Sequence, residues 1–234
     1  MRLRPSIVAF SGLDGSGKSS QAELLRRTLE AHGFEAEVAW VPVAINESLA
    51  RIKTVVRALL SRLPGWRGRV YAPPPYATRT HGVVADEAKE LVTRSSAARQ
   101  LWSTFVVLTN VLAHWRALLR HRGCDVVIFD RYALDTAVRM HTWYGDRGTV
   151  AFQVWLARAL SPRPLGAYLL DVAATTAHAR KDDGWTVGEL AAQADLYRQE
   201  LARFGVRLLD GERPAAELAQ AVEEQLLARL DGGP

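Results

Sequence analysis

The residues best suited to carry chemistry lie near the start of the chain, in the stretch Gly12-Leu13-Asp14-Gly15-Ser16-Gly17-Lys18-Ser19. This stretch fits G-x-x-x-x-G-K-[ST], the pattern of a phosphate-binding loop. Its glycines allow backbone N–H groups to close around phosphate oxygens, where a Cβ would block them. Lys18 would bring positive charge to the β- and γ-phosphates, and the hydroxyl of Ser19 can ligate Mg²⁺.

The sequence on either side of the loop predicts the elements that must hold it. Residues 6–10 form an apolar run of buried-strand length, and residues 20–31 have the periodicity of a helix that ends at Gly33. The helix N-terminus, the loop amides and Lys18 would then converge on one anion site. We expect Lys18 to be exposed on this loop.

A second group of candidate residues, Asp130-Arg131-Tyr132, follows the apolar run at residues 124–129. Ligands of an open α/β sheet bind beyond the carboxyl ends of its strands. At that position Asp130 can act on Mg²⁺ or its water shell, and the planar guanidinium of Arg131 can grip a phosphate. The alternative is a simple Asp–Arg surface pair, and the placement at a strand end favours the functional interpretation.

Apolar runs alternate with helical periodicity along the chain. This alternation predicts an α/β fold with a five-stranded parallel sheet and helices on both faces. The capping-box pattern Thr186-x-x-Glu189 marks the start of one helix. The predicted strands are residues 6–10, 35–41, 124–129, 166–171 and 206–209, and the predicted helices are residues 20–31, 46–63, 86–122, 135–142, 149–160, 186–204 and 214–230.

The long helical region at residues 86–122 carries two apolar faces, which predicts a central, buried helix. Asn110 and His114, one turn apart, are either pocket residues or hydrogen-bonded core residues, and the second interpretation is favoured. One face consists of Leu101, Phe105, Leu108, Leu112, Trp115 and Leu119, and the other adds Trp102, Val106 and Thr109.

Two segments suggest movable parts. Residues 64–82 have no periodic pattern and contain three consecutive prolines, so they form either a functional binding loop or a plain surface insertion. Residues 174–186 read as a short helix that runs into a charged lid.

Composition limits the class of protein. The 234 residues suit a single domain, 1–234, in which residues 64–82 are an insertion and residues 174–186 a lid. No apolar run is long enough to span a bilayer, and because the first residues lead directly into a predicted strand we expect no signal peptide. The single cysteine, Cys124, fits a reducing cytosol, so we expect a cytoplasmic protein. The net charge of +5 is spread along the chain, which argues against nucleic acid as a partner.

The stretch from Phe10 to Ser20 resembles the phosphate-binding loop of the thymidylate kinase family, and Asp130-Arg131-Tyr132 is similar to that family's Asp-Arg-Tyr motif. Residues 169–171, followed by Arg180, resemble its fourth strand and lid, and residues 209–211 lie where its loop packs on adenine. The resemblance implies a P-loop NTPase fold. It also implies ATP- and Mg²⁺-dependent transfer of the γ-phosphate to a nucleoside monophosphate or nucleotide-like acceptor.

The resemblance also implies roles for single residues. The catalytic residues would be Lys18, Asp130, Arg131 and Arg180, with Arg131 bridging the two substrates and Arg180 acting from the lid. Ser19 and Asp130 would hold Mg²⁺, and Asp14 would face the sugar of the acceptor. Family members are often dimers through their long helices. ATP would be held by Gly12, Asp14, Gly15, Ser16, Gly17, Lys18, Ser19 and Ser20.

Departures from the family pattern fall mainly on the acceptor side. Ser11 stands where the family has an acidic residue, and residues 41–44 replace the Arg-Glu-Pro motif that holds the thymidylate phosphate. The nearest replacement arginines are Arg67, Arg69, Arg79, Arg94 and Arg99. Three functions therefore stay open: a kinase with a nucleotide-like small-molecule acceptor, a kinase of the same fold with a non-nucleotide acceptor, and a nucleotide-binding module without catalysis.

Overall fold

The computed structural model describes residues 5–41, 96–144, 147–181 and 184–231. The predicted helix at 46–63, the insertion at 64–82 and the first part of the long helical region lie outside the described residues. The described strands are β1 (Ser6–Gly12), β2 (Ala36–Trp40), β3 (Val126–Asp130), β4 (Gly166–Asp171) and β5 (Arg207–Asp210). The described helices are α1 (Lys18–Ala31), α2 (Ser96–Arg120), α3 (Ala133–Tyr144), α4 (Arg147–Leu160), α5 (Ala174–Arg180), α6 (Val187–Phe204) and α7 (Ala215–Asp231).

The five strands form one parallel sheet in the order β2-β3-β1-β4-β5, which confirms the predicted sheet. In this register Phe10 lies opposite Asp130, and Gly12 lies opposite Leu170. The central strand β1 therefore delivers the predicted loop to the point where β3 and β4 also end. The topology alone brings the two candidate motifs together at the carboxyl edge of the sheet.

The core has two layers because side chains alternate across each strand. On one face Phe10 and Ile128 pack with Leu25 of α1 and Leu226 of α7. On the other face residues of β1 and β3 such as Phe129 pack against α2, and α3 and α6 cover the region beside β4. β3 is buried at every position, as expected for a strand covered on both faces.

Helix α2 differs from the prediction of a fully buried helix. Val106, Val107 and Val111 are buried against α3 and α4. Four leucines of the predicted stripe are instead between 42% and 73% exposed: Leu101, Leu108, Leu112 and Leu119. Periodicity shows that apolar residues share a face, but it does not show what covers that face. Along its described length, α2 thus presents an exposed leucine stripe.

The two polar residues of α2 lie in the core. His114 packs against Phe129 and Tyr132, with ring centroids 5.4 and 4.4 Å apart, and Asn110 is also buried. Burial lowers the pKa of His114 to about 3, so its ring is neutral at physiological pH. This arrangement agrees with the interpretation of both residues as core residues.

The capping box at the start of α6 is present as predicted. Thr186 accepts a hydrogen bond from the backbone N–H of Glu189, whose carboxylate in turn accepts from the backbone N–H of Thr186. This reciprocal pair satisfies amides that an uncapped helix would leave without partners. None of the described helices combines the length and the apolar character needed to cross a bilayer.

Candidate active site

The loop between β1 and α1 is shaped by two glycines in particular. Gly12 has φ of 144° and Gly15 has φ of 84°, conformations that residues with a side chain rarely adopt. A Cβ on Gly12 would lie 2.7 Å from the carbonyl oxygen of Leu170, and one on Gly15 would lie 2.3 Å from that of Ala177. The loop is therefore wedged between β4 and α5, and glycine is required at both positions.

Lys18 is buried, so the expectation of an exposed lysine is wrong. Its side chain folds over the loop, and Nζ donates hydrogen bonds to the carbonyl oxygens of Gly12 and Leu13 at 2.9 and 2.5 Å. Nζ also lies 3.5 Å from the hydroxyl oxygen of the buried Ser16. Burial, followed by the positive charge of Arg131, lowers the pKa of Lys18 to about 8. The loop thus holds its ammonium group in an environment that solvates charge poorly.

Ser19 and Asp130 form the link between the two candidate motifs. The Ser19 hydroxyl donates to Oδ2 of Asp130 at 2.5 Å. Oδ1 of Asp130 is buried and has no hydrogen-bond partner among the described residues. A hydroxyl and a carboxylate with an unused oxygen are the ligand types that Mg²⁺ prefers, so these residues fit the cation that the resemblance implies. Ser20 is exposed in the first turn of α1.

Arg131 and Asp14 form an ion pair across the mouth of the loop. Arg131 is the one described residue other than glycine with positive φ, at 78°, and this backbone conformation directs its side chain to Asp14. Nζ of Lys181 lies 3.8 Å from the same carboxylate. Although burial opposes the effect, the charges of Arg131, Lys18 and Lys181 lower the pKa of Asp14. The role of Asp14 toward an acceptor sugar stays a prediction.

Arg139 on α3 adds a further cation that the sequence analysis missed. Its guanidinium lies 5.0 Å from the centre of the Trp143 ring. Within the described part of the chain it makes no ion pair with a carboxylate. Burial, followed by the positive charge of Arg131, lowers the pKa of Arg139. Asp14 and Asp135 act on it electrostatically but form no ion pair with it in the described part of the chain, so this sheltered guanidinium is suited to bind an anion.

The carboxylate of Asp135 links the phosphate-binding loop to the Asp-Arg-Tyr turn by hydrogen bonds. Its Oδ2 accepts from the hydroxyl of Ser11 at 2.6 Å and from the backbone N–H of Tyr132 at 2.8 Å. Its Oδ1 accepts from the hydroxyl of Tyr197 at 2.8 Å and from the backbone N–H of Gly12 at 3.5 Å. Asp135 is only 2% exposed. One buried carboxylate thus fixes the end of β1, the turn after β3 and helix α6 to one another.

Arg180, the predicted lid arginine, makes its described contacts with the turn after β5, and its catalytic role stays a prediction. It ends α5 and contacts the carbonyl oxygen of Gly211 at 3.4 Å and the carboxylate of Glu212 at 3.7 Å. The structure instead brings its neighbour Lys181 to the loop. Residues 209–211 lie beside the end of β4, where the N–H of Gly211 donates to the carbonyl oxygen of Asp171 at 2.8 Å, and their packing on adenine stays a prediction.

Helical spacing was the signal that could have revealed the missed residues. Arg131, Asp135, Arg139 and Trp143 follow one another at intervals of four. Residues at this spacing lie on one face of a helix, and here that face begins at the conspicuous Asp-Arg-Tyr motif.

Comparisons with known proteins bear on the fold. No protein-family model matches the sequence, and no curated protein matches it. Among solved structures, deoxyadenosine kinase from M. mycoides with bound dATP matches with a TM-score of 0.54 and 14% identity. The match covers 94% of this chain and 98% of that chain. Together with the parallel sheet and the phosphate-binding loop, this likeness shows that the chain has the α/β P-loop NTPase fold, as predicted.

The Asp135 network predicts an unequal response to two substitutions. Asp135→Ala leaves four donors without their acceptor and should lower the free energy of unfolding by about 2–5 kcal/mol. Tyr197→Phe removes only one of these donors and should cost about 0.5–1.5 kcal/mol. Urea denaturation followed by circular dichroism measures both values. An equal cost for the two variants would contradict the central position of Asp135.

Proposed function

We propose that this protein is an ATP-dependent phosphotransferase that transfers the γ-phosphate to a nucleoside monophosphate or a nucleotide-like acceptor. The observation that carries the proposal is the meeting of Lys18, the Ser19–Asp130 pair and Arg131 at one edge of the sheet. A module that only binds nucleotide needs the loop and its lysine. It has no need of an arginine held at the loop mouth in a strained backbone conformation.

The roles follow from the chemistry of the transfer. ATP with Mg²⁺ supplies the phosphoryl group, whose charge is spread over its oxygens in the transition state. Lys18 neutralises charge on the donor phosphates, and Ser19 and Asp130 would hold the cation. Arg131 lies where donor and acceptor would meet, and its ion pair with Asp14 keeps it in place before either binds. Arg180 would act only after the lid turns toward the loop, and Lys181 is the nearer lid cation in this structure.

Arg139 supports an acceptor that already bears a phosphate. The loop amides, Lys18 and Arg131 would bind the donor phosphates. The sheltered guanidinium of Arg139 is then available to bind a second anion, the phosphate of the acceptor. A plain nucleoside acceptor is the main alternative, because the structural neighbour is named as a deoxyadenosine kinase. A non-nucleotide acceptor stays a third candidate, since the acceptor-side insertion at residues 64–82 is outside the described residues. Without the Arg-Glu-Pro motif, dTMP should be a poor acceptor.

The first test is an acceptor screen with the donor site as its control. The intact chain with ATP and Mg²⁺ should release ADP only when a suitable acceptor is added. Nucleoside monophosphates, nucleosides and sugar phosphates form the panel. Lys18→Met keeps the aliphatic stem in its buried position but removes the charge, and should lower kcat by a factor on the order of 10² or more. Arg27→Met, at an exposed site on α1, is the matched control. Near-normal turnover by Lys18→Met would contradict the kinase proposal.

The second test concerns the acceptor phosphate. Arg139→Gln should raise the KM of a nucleoside monophosphate by about ten- to a hundred-fold, the value of one charge-assisted contact, and leave the Kd for ATP nearly unchanged. Arg158→Gln, at an exposed position on α4, serves as control. An unchanged acceptor KM in Arg139→Gln would remove the argument for a phosphorylated acceptor and favour the nucleoside alternative.

We also propose a homodimer through the exposed leucine stripe of α2, the arrangement that the family resemblance implies. Leu112→Glu places a charge in the middle of the stripe and should convert the dimer to a monomer in light scattering coupled to size exclusion. Leu160→Glu changes a comparably exposed leucine on α4 and should leave the dimer intact. A monomeric wild-type protein at micromolar concentration would contradict this assignment.

A further inference from the structure

A group of metal-ligating side chains lies at the opposite edge of the sheet from the P-loop. Glu37 is the second residue of β2, and His121 and Cys124 belong to the turn between α2 and β3. One ligand atom from each of the three side chains lies within 4.8 Å of the other two. The P-loop follows the carboxyl end of β1, whereas this turn precedes the amino end of β3. The group is therefore separate from the candidate active site.

We propose that Glu37, His121 and Cys124 form a binding site for a Zn²⁺-type divalent metal ion. A thiolate sulfur, an imidazole nitrogen and a carboxylate oxygen are the three ligand types that zinc takes in proteins. Mg²⁺ and Ca²⁺ prefer oxygen ligands alone, so the chemistry of the set selects against both. Three protein ligands leave one tetrahedral position for water. Only small side-chain rotations are needed, because the ligand atoms already lie close together.

The backbone around the group is fixed by hydrogen bonds. The N–H of Cys124 donates to the carbonyl of His121 at 3.1 Å, which closes the turn between the two ligands. The N–H of Asp125 donates to the carbonyl of Glu35 at 2.8 Å, and the N–H of Glu35 donates to the Asp125 carboxylate at 2.9 Å. These bonds tie the turn to the start of β2. A bound ion would thus meet ligands whose backbone positions are already set, which lowers the entropy cost of binding.

The charge around the group also suits a cation. The carboxylates of Glu37, Glu35 and Asp125 lie close enough to Cys124 to act on its thiol electrostatically. Among the described residues, this turn therefore combines a half-buried thiol with three nearby carboxylates. These carboxylates would attract a divalent ion, although Arg120 and Arg122 flank His121 in the chain. His121 and Cys124 are half-buried and Glu37 is exposed, so the ion can enter from solvent.

The single cysteine of the chain allows a direct spectroscopic test. Co²⁺ is titrated into the reduced, full-length protein, and the absorption bands of cobalt are recorded. A sulfur-to-cobalt charge-transfer band can arise only from Cys124, because the sequence contains no other cysteine. We expect this band together with the intense visible bands of tetrahedral cobalt, saturating at one ion per chain. Zn²⁺ should displace the cobalt, and excess Mg²⁺ should not.

Variants then test the other two ligands. Glu37→Gln and His121→Ala should each weaken Co²⁺ affinity about ten-fold or more, and Cys124→Ser should abolish the charge-transfer band. His32→Gln, at an exposed histidine at the end of α1 that faces Glu223, is the matched control and should leave the affinity unchanged. Circular dichroism checks the fold of each variant. In the wild-type protein, which needs no substitution, Zn²⁺ should slow alkylation of Cys124 at least ten-fold.

Two results would overturn the proposal. One is a cobalt spectrum without the thiolate band, which would place any bound ion elsewhere, for example at Ser19 and Asp130. The other is unchanged alkylation of Cys124 at saturating Zn²⁺. Neither result bears on the phosphotransferase proposal, which rests on residues at the other edge of the sheet and is tested with Mg²⁺ alone.

Discussion

The buried carboxylate of Asp135 is the constraint on which the candidate active site depends. The P-loop and the Asp-Arg-Tyr turn come from strands far apart in the sequence, and sheet pairing alone brings them only into the same neighbourhood. Asp135 binds both with hydrogen bonds that leave little freedom, and Tyr197 adds a third element. Water cannot substitute for this carboxylate, since the site is almost completely buried. Asp135 thus holds the backbone segments at the mouth of the loop in fixed positions.

The same carboxylate lies beside Ser11, a position at which the sequence differs from the thymidylate kinase pattern that it resembles. The family has an acidic residue immediately before the first loop glycine, and this chain has Ser11 there. In the structure Ser11 donates to Asp135, so a carboxylate still lies beside the loop but is supplied from α3. Charges alternate in sign outward from Asp135. Its carboxylate acts electrostatically on Arg131, which pairs with Asp14, and Asp14 in turn lies 3.8 Å from Lys181. Such alternation allows several cations to be held close together where phosphate would bind.

The sequence predicted correctly those features of the structure that depend on patterns of neighbouring residues. The P-loop, the five strands and the capping box at Thr186 are each encoded by neighbouring residues, and the structure confirms them. The burial of Lys18 could not be predicted, because it depends on how the side chain folds back onto the carbonyl oxygens of Gly12 and Leu13. Asp135 was missed because its partners are up to 124 residues away. The exposure of the α2 leucines likewise depends on which elements pack nearby, and periodicity does not contain that information.

Because the pKa of Lys18 is low, both anion binding at the loop and the stability of the fold should depend on pH near 8. Because the pKa of Lys18 is about 8, its side chain changes from the charged to the neutral form near that pH. An anion in the loop would favour the charged form, so each binding event near this pH would take up a fraction of a proton, and affinity would fall as the pH rises through 8. The free energy of unfolding depends on pH in the opposite direction. Burial of the ammonium group lowers this free energy to the full extent below pH 8, and the penalty disappears as the pH rises from 8 to the ordinary lysine pKa of 10.5. An anion beside Lys18 would therefore bind most tightly below pH 8, where the ammonium group is charged.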